Sequence, residues 1–301
     1  MDFGNLYRSI RHVNINIDTR FITLIGTPLE QSFAARMQNA AYEVAGLNAV
    51  YFYTDTDSAH LEEIINGFRH MPSFVGCAVT KPNKVSVLKY LDVLDPLCEK
   101  MGACNTVVKT PDGRLMGYNT DGQGFLRSLV EEGGVHVKGE SFFCLGAGGA
   151  GRAMASILAH SGAGKVYIMD VDAASARSLA GDINRHFSPV AEWVELGDYS
   201  RLPDCAVVLN ATGLGMGNTM GMTPVPPEHL RRGQLCYDTC YNPAKTQFLL
   251  DAEARDCRIL NGLGMSLYQG VIQIELWFGV PAPVEAMRRE LMSILIENSI
   301  R

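Results

Sequence analysis

The chain has 301 residues, 47% of them hydrophobic and 19% charged, with 26 Lys and Arg set against 32 Asp and Glu for a formal net charge of -6. That balance suits a soluble globular protein with room for two domains, and it gives no basic footprint for nucleic acid or an anionic membrane. Eight cysteines are too dilute for a disulfide scaffold and read as buried thiols in a reducing compartment; the first 20 residues lack a signal-peptide apolar run, so a cytoplasmic place is expected.

The elements begin at Phe21. "FITLIG" is a short apolar strand closed by "TP", and the Ala-rich "SFAARMQNAAYEVAGL" after it reads as a helix ending at its glycine. "AVYFYT" is the next strand, "HLEEIINGFRHM" a helix, "FVGCAVT" a buried strand, and the amphipathic stretch from Lys84 to about Leu94 a further helix. Alternating strand and helix predicts a largely parallel sheet with helices on its faces. "TPDG" between two short apolar runs predicts a hairpin, and a helix starting near Asp121 or Gly122 leads out of this unit towards a linker at "EEGGVHVKG".

"SFFCLGAGGAGRAMASILAHSGAGKVYIMD" follows, an apolar strand running into the loop Gly146, Gly148, Gly149, Ala150 and Gly151, then a small-residue helix and a second strand ending in Asp170, 19 positions after Gly151. Glycines in this register allow a tight turn and close approach of backbone N–H groups to a pyrophosphate at a helix start. A GxGxxG alone is weak, but here strand, helix and acidic strand end stand in order, as a dinucleotide-binding βαβ unit requires. Asp170 would bond ribose hydroxyls and repel a 2'-phosphate, and the next residues, Val171 and Asp172, offer no cation, so NAD is expected over NADP. Further strands are expected at "EWVEL", "CAVVLN", "QLCYDT" and "CRILN", and closing helices from about Ser266. Cys236 and Cys240 in "CYDTC" lack a second pair at ligand spacing, so core packing is the better reading and no metal is expected.

Taken together, "IGTPLEQS", "VTKPNK", "GACNTVV", "GYNTDGQG", "LGAGGAG", "NATGLGM", "YDTCYNPAKT" and "NGLGMSLYQG", in this order from about Ile22 to Gly279, resemble the shikimate and quinate dehydrogenase family. The resemblance implies an α/β fold of two domains: a discontinuous substrate domain with a mainly parallel sheet over 1–122 and 265–301, and a Rossmann-type NAD-binding domain over 123–264. It implies interconversion of a ring secondary alcohol and its ketone on a shikimate-like or quinate-like hydroxylated carboxylic acid. Lys84 matches the catalytic lysine and Asp121 its paired carboxylate, a couple suited to taking and returning the hydroxyl proton. On residues alone, Lys84 also reads as a surface lysine at a helix start and Asp121 as an N-cap. By the same resemblance Ser32, Thr80, Asn105, Tyr241 and Gln269 contact substrate, although Tyr241 fits a half-buried structural tyrosine as well. Met216 and Gly264 resemble the nicotinamide-side wall, and Asn210 and Thr212 end a strand where α/β sheets place ligands; turn chemistry would explain these four equally.

The resemblance breaks where the family holds the substrate carboxylate. Ser32 is kept, but Gln31, Ala34, Ala35 and Ala78 replace the family's His, second Ser, Pro and Asn, while Lys81 and Arg36 add positive charge that would meet an anionic substituent or face solvent. Conserved chemistry with altered recognition points to a paralogue with a shifted substrate. The alternatives are a biosynthetic shikimate dehydrogenase using NADP and, in a different class, a non-catalytic NAD-binding regulatory protein. The expected partner is a small cyclic hydroxy acid, and the chain would act as a monomer or homodimer.

Overall fold

The computed structural model describes residues 15–29 and 32–299, so Gln31 lies outside the described residues. A first sheet is built from β1 (Arg20–Gly26), β2 (Ala49–Asp55), β3 (Phe74–Val79), β4 (Val93–Leu94), β5 (Thr106–Lys109) and β6 (Leu115–Tyr118) in the order β2-β1-β3-β5-β6-β4. β1 runs parallel to β2 and β3, and the β5–β6 hairpin at "TPDG" adds two antiparallel pairings beside β3. β3 is buried at every position, which explains its unbroken apolar run: a strand covered on both faces does not alternate. Ile22, Leu24 and Ala78 pack on one face with α1 (Ala34–Val44), and Ile25, Cys77 and Val79 on the other with α2 (Leu61–Arg69).

The second sheet contains β7 (Ser141–Leu145), β8 (Lys165–Met169), β9 (Ala191–Trp193), β10 (Val207–Asn210), β11 (Leu235–Asp238) and β12 (Arg258–Leu260), all parallel, in the order β12-β11-β10-β7-β8-β9. Strand order reverses between β7 and β10, which opens the crevice at their carboxyl ends where doubly wound sheets bind ligands. Helices α5 (Gly149–His160), α6 (Ala173–His186) and α7 (Gln247–Ala254) cross between its strands.

Two helices, α4 (Thr120–Glu131) and α8 (Leu263–Phe278), join the two sheets, and a third covers α8 on one side. α4 leaves β6 and packs on α5 and on α8, while α8 also packs on β3 and β5, and α9 (Val284–Ser299) lies on α1 and α8. The α4–α8 approach requires Gly124, where a Cβ would stand 2.6 Å from the Gln269 backbone nitrogen.

Two local expectations change. The stretch from Lys84 to Leu94 forms only a 3-10 turn, Ser86–Tyr90, before β4. Asp92 draws the chain to the sheet edge instead: its carboxylate accepts from the Leu115 N–H at 2.7 Å and from Arg69, and its own N–H donates to the Leu115 carbonyl. A short helix, α3 (Pro96–Met101), had not been anticipated. The Asp95 side chain caps it at Leu97 N–H, Pro96 opens it and Gly102 closes it with φ 64°. All eight cysteines are free and buried, and burial pushes the Cys144 and Cys240 thiols up to about 12. No helix among the described residues is long and apolar enough to cross a membrane.

Candidate active site

Lys84 follows β3 and Asp121 opens α4. The Lys84 Nζ donates to Asp121 Oδ2 at 2.7 Å, with the lysine side chain 32% and the carboxylate 11% exposed. Asp121 is not the cap of its helix. Asn119 is, through Oδ1 and the Gly122 N–H. The Asp121 carboxylate is therefore not used in capping and stands in the first turn, where the helix end favours negative charge.

Asn105, at the start of the hairpin, fixes the other carboxylate oxygen. Its Nδ2 donates to Asp121 Oδ1 at 2.9 Å and to Thr120 Oγ1, and its Oδ1 accepts from the Thr120 N–H and the Thr106 hydroxyl. Thr106 in turn accepts from Gln273 Nε2 at 3.0 Å, and Gln273 Oε1 accepts from Gln38. The chain of bonds runs from the lysine through the hairpin into α8 and α1. Each member holds the next in one rotamer, and Asp121 is aimed by packing from three elements.

The pair lines a cavity of about 130 Å³ together with Ser32, Thr80, Asn105 and Gln269, and with Ala34 and Ala78, the positions where the family pattern breaks. Leu24, Tyr51, Val79 and Gln273 complete it. Gln273 was missed in the sequence although it stands four positions after Gln269, the spacing that puts both amides on one helix face. Tyr51 had no comparable signal, being one aromatic in an ordinary strand. Wider hollows of about 400 and 520 Å³ beside Arg231 and Arg232 contain none of the expected site residues. Neither charged newcomer lines the cavity: Arg36 Nε and Nη1 donate to Glu290 and Glu297 of α9 at 3.0 and 2.7 Å, and Lys81 is exposed.

Tyr241 follows β11 and stands at the junction of the two units. Its ring lies 6.1 Å from that of Phe33 beside α1, and burial raises its pKa against a contact with Ser266.

At the crevice of the second sheet, Gly146 has φ 104°, and a Cβ on it would meet the Ala211 carbonyl at 2.8 Å. A Cβ on Gly151 would meet the Gly146 carbonyl at 1.9 Å, so strand and helix touch backbone to backbone. Gly148 caps α5 without any side-chain hydrogen bond, and Gly149 and Ala150 form its first turn, leaving the helix N–H groups available to a pyrophosphate. Asp170, half-buried at the end of β8, accepts from the Ala147 N–H at 2.6 Å and the Asp172 N–H at 2.8 Å. It stitches the glycine loop to the end of β8.

The remaining expected cofactor residues divide by environment. Asn210 is fully buried and organises its own turn, Oδ1 accepting from the Thr212 N–H and hydroxyl and Nδ2 donating to the Leu214 carbonyl. Thr212 and Met216 are exposed on the loop beyond it. Gly264 is buried, and a Cβ there would lie 2.3 Å from Ser128 Oγ, so this glycine stands in the α4–α8 contact.

A half-buried lysine paired with a buried carboxylate and joined through one helix to a dinucleotide-binding crevice is the arrangement of a nucleotide-dependent alcohol dehydrogenase. Two family models match: the shikimate dehydrogenase substrate binding domain over residues 24–107 and the shikimate 5'-dehydrogenase C-terminal domain over 262–292. A shikimate dehydrogenase (NADP(+)) of Moorella thermoacetica is 40% identical over 290 residues, 95% of this chain and 97% of that protein. Among solved structures, shikimate 5-dehydrogenase from Listeria monocytogenes in complex with shikimate and NAD is 35% identical with a TM-score of 0.89, covering 94% of this chain and 99% of that one. The ligand-free 5-ketofructose reductase of Gluconobacter sp. strain CHM43 is 33% identical with a TM-score of 0.84, covering 93% and 100%. The chain belongs to the shikimate dehydrogenase family, whose members are NAD(P)-dependent alcohol oxidoreductases.

Proposed function

We propose that this enzyme interconverts a secondary alcohol and its ketone on a small hydroxylated ring of the shikimate and quinate kind, with Lys84 and Asp121 as the proton-transfer pair and NAD as the preferred cofactor. The observation that carries the reading is the 2.7 Å pair inside the cavity. In the oxidative direction the substrate hydroxyl loses its proton to this pair as the carbinol hydride departs; in reduction the Lys84 ammonium returns a proton to the carbonyl oxygen. Asn105 has no free hydrogen-bonding capacity, so its part is to hold Asp121, while Thr80, Gln269 and Ser32 offer donors and acceptors to the substrate. When bound, the nicotinamide supplies the hydride chemistry.

NAD preference is supported by Asp170. Two backbone N–H groups fix its carboxylate beside the glycine loop, with Val171 and Asp172 next to it, a setting hostile to a 2'-phosphate. The cofactor wall would draw on Gly146, Gly148, Gly151, Thr212 and Met216, and in a division into 1–122 with 265–301 against 123–264 all the residues that line the cavity belong to the first unit. Buried free thiols suit the cytoplasm. NADP-dependent shikimate dehydrogenase activity is the second reading, favoured by the name of the Moorella relative.

The test follows nicotinamide absorbance with NAD and NADP across the carboxylates shikimate, quinate and aminoshikimate and across uncharged cyclic polyols. Turnover of one of them with NAD preferred supports the reading. Cofactor binding with no turnover on the whole panel would instead favour a binding protein.

A further inference from the structure

The cavity wall formed by β1, β2, β3 and the start of α1 is chemically unlike the wall that holds the pair. Leu24 and Ala78 stand side by side in the β1–β3 register, and Ala34 faces the same space. Among the described residues Lys84 is the one cationic side chain lining the cavity, and it is bound to Asp121. Arg36 is held by Glu290 and Glu297 outside it.

Tyr51 belongs to this wall. It is 2% exposed, its backbone N–H and carbonyl are both clamped by the Asn39 side chain at 2.8 Å, and its ring lies 6.1 Å from that of Trp277. Its hydroxyl has no hydrogen-bond partner among the described residues. Burial raises its pKa well above the ordinary tyrosine value, so it stays a neutral donor. Ser32 Oγ accepts from the Ala34 N–H at 3.3 Å and keeps its own proton to give.

A carboxylate entering here would exchange water for the methyl groups of Ala34 and Ala78, where the family pattern has a serine and an asparagine, and the cavity's one cation is already paired with Asp121. An uncharged oxygen needs only the donors that are present. We propose that the Tyr51 hydroxyl is a substrate-binding group and that this part of the cavity takes an uncharged oxygen substituent, a hydroxyl or hydroxymethyl, in preference to a carboxylate. This specificity rests on the reaction proposed above.

The experiment is calorimetric titration of the NAD-loaded Lys84→Ala enzyme with shikimate and with its analogue in which the carboxylate is reduced to hydroxymethyl, alongside turnover of both by the unaltered enzyme. The neutral compound is expected to bind at least about 10-fold more tightly, and adding Tyr51→Phe to weaken it about 5- to 10-fold, the loss of one neutral hydrogen bond. Because the hydroxyl has no internal partner, Tyr51→Phe alone should not lower the melting temperature. Tighter binding of shikimate, no binding of either compound, or a Tyr51→Phe change confined to melting would overturn the proposal. If the binding order holds while the unaltered enzyme turns over neither compound, the specificity stands and the proposed reaction fails.

Discussion

Replacing Lys84 by alanine separates the proton-transfer role from a structural one. The pair has good geometry at 2.7 Å, but the lysine side chain is 32% exposed while Asp121 is 11% exposed. Exposed pairs contribute about 0–1 kcal/mol, whereas stripping the partner from a fully buried charge costs about 3–5 kcal/mol. Asp121 keeps the Asn105 bond at 2.9 Å, and water can reach the vacated lysine site. The expected loss of stability is therefore about 1–2 kcal/mol, a fall in melting temperature of roughly 2–3 °C for a chain of this size. Removing a positioned proton carrier costs about 10²–10⁴ in rate, so kcat should fall at least 100-fold while the fold survives. Lys84→Arg sharpens the comparison, because arginine keeps the ion pair yet does not release its proton near neutral pH; stability should return and rate should not. Steady-state kinetics beside thermal melts decide the matter. A rate loss below about 10-fold, or full activity in Lys84→Arg, would remove Lys84 from proton transfer.

Three other variants probe the second sheet. In Gly151→Ala the new methyl would collide with the Gly146 carbonyl at 1.9 Å, so cofactor affinity measured by fluorescence titration should fall at least about 10-fold with about 1–3 kcal/mol of stability. Asp170→Ser combined with Val171→Arg exchanges a carboxylate for a phosphate partner, and the NAD-to-NADP ratio of kcat/KM should move at least about 100-fold towards NADP; an unmoved ratio would take cofactor choice away from this strand end. Asp238, fully buried at the end of β11, has its pKa raised above 3.8 by burial, with the Thr246 hydroxyl opposing. Its native state thus holds the proton more tightly than the unfolded chain, a stabilisation full below 3.8 and lost as pH rises through the raised value. Asp238→Asn should flatten that part of the melting profile, and an unchanged pH slope would count against the burial argument.

What could be read from residues alone was what local physics encodes. β3 and β10 are apolar at nearly every position because both faces are covered, and the glycine register of residues 146–151 follows from two backbones in contact. Lys84 and Asp121 each stood in a distinctive short run. What was hidden depends on partners far along the chain. The Gln273 bond to Thr106 spans 167 positions, and the unpartnered Tyr51 hydroxyl is defined by what does not surround it. Arg36 looked available for an anion until α9, more than 250 positions later, supplied Glu290. Lys84 to Leu94 had helical spacing, yet one carboxylate, Asp92, bound to Leu115 redirected it into the sheet.

The same reasoning explains why the chemistry and the recognition can change separately in this fold. Asp121 is positioned by α4, and α4 is fixed by glycines against both its neighbours: a Cβ on Gly122 would stand 3.1 Å from the Ala153 carbonyl of α5, and one on Gly124 would strike α8. A shift of α4 would therefore disturb the helix that opens from the dinucleotide loop and the helix that carries Gln269 and Gln273. The pair is tied to the cofactor crevice by backbone contact, where side-chain substitution has little room. Ala34, Ala78 and Tyr51 sit instead on α1, β3 and β2, and their side chains make no hydrogen bond to the pair. Substitutions there alter which substituent is tolerated without moving Lys84 or Asp121, so an intact proton pair beside a changed recognition wall is a mechanically consistent state of this enzyme.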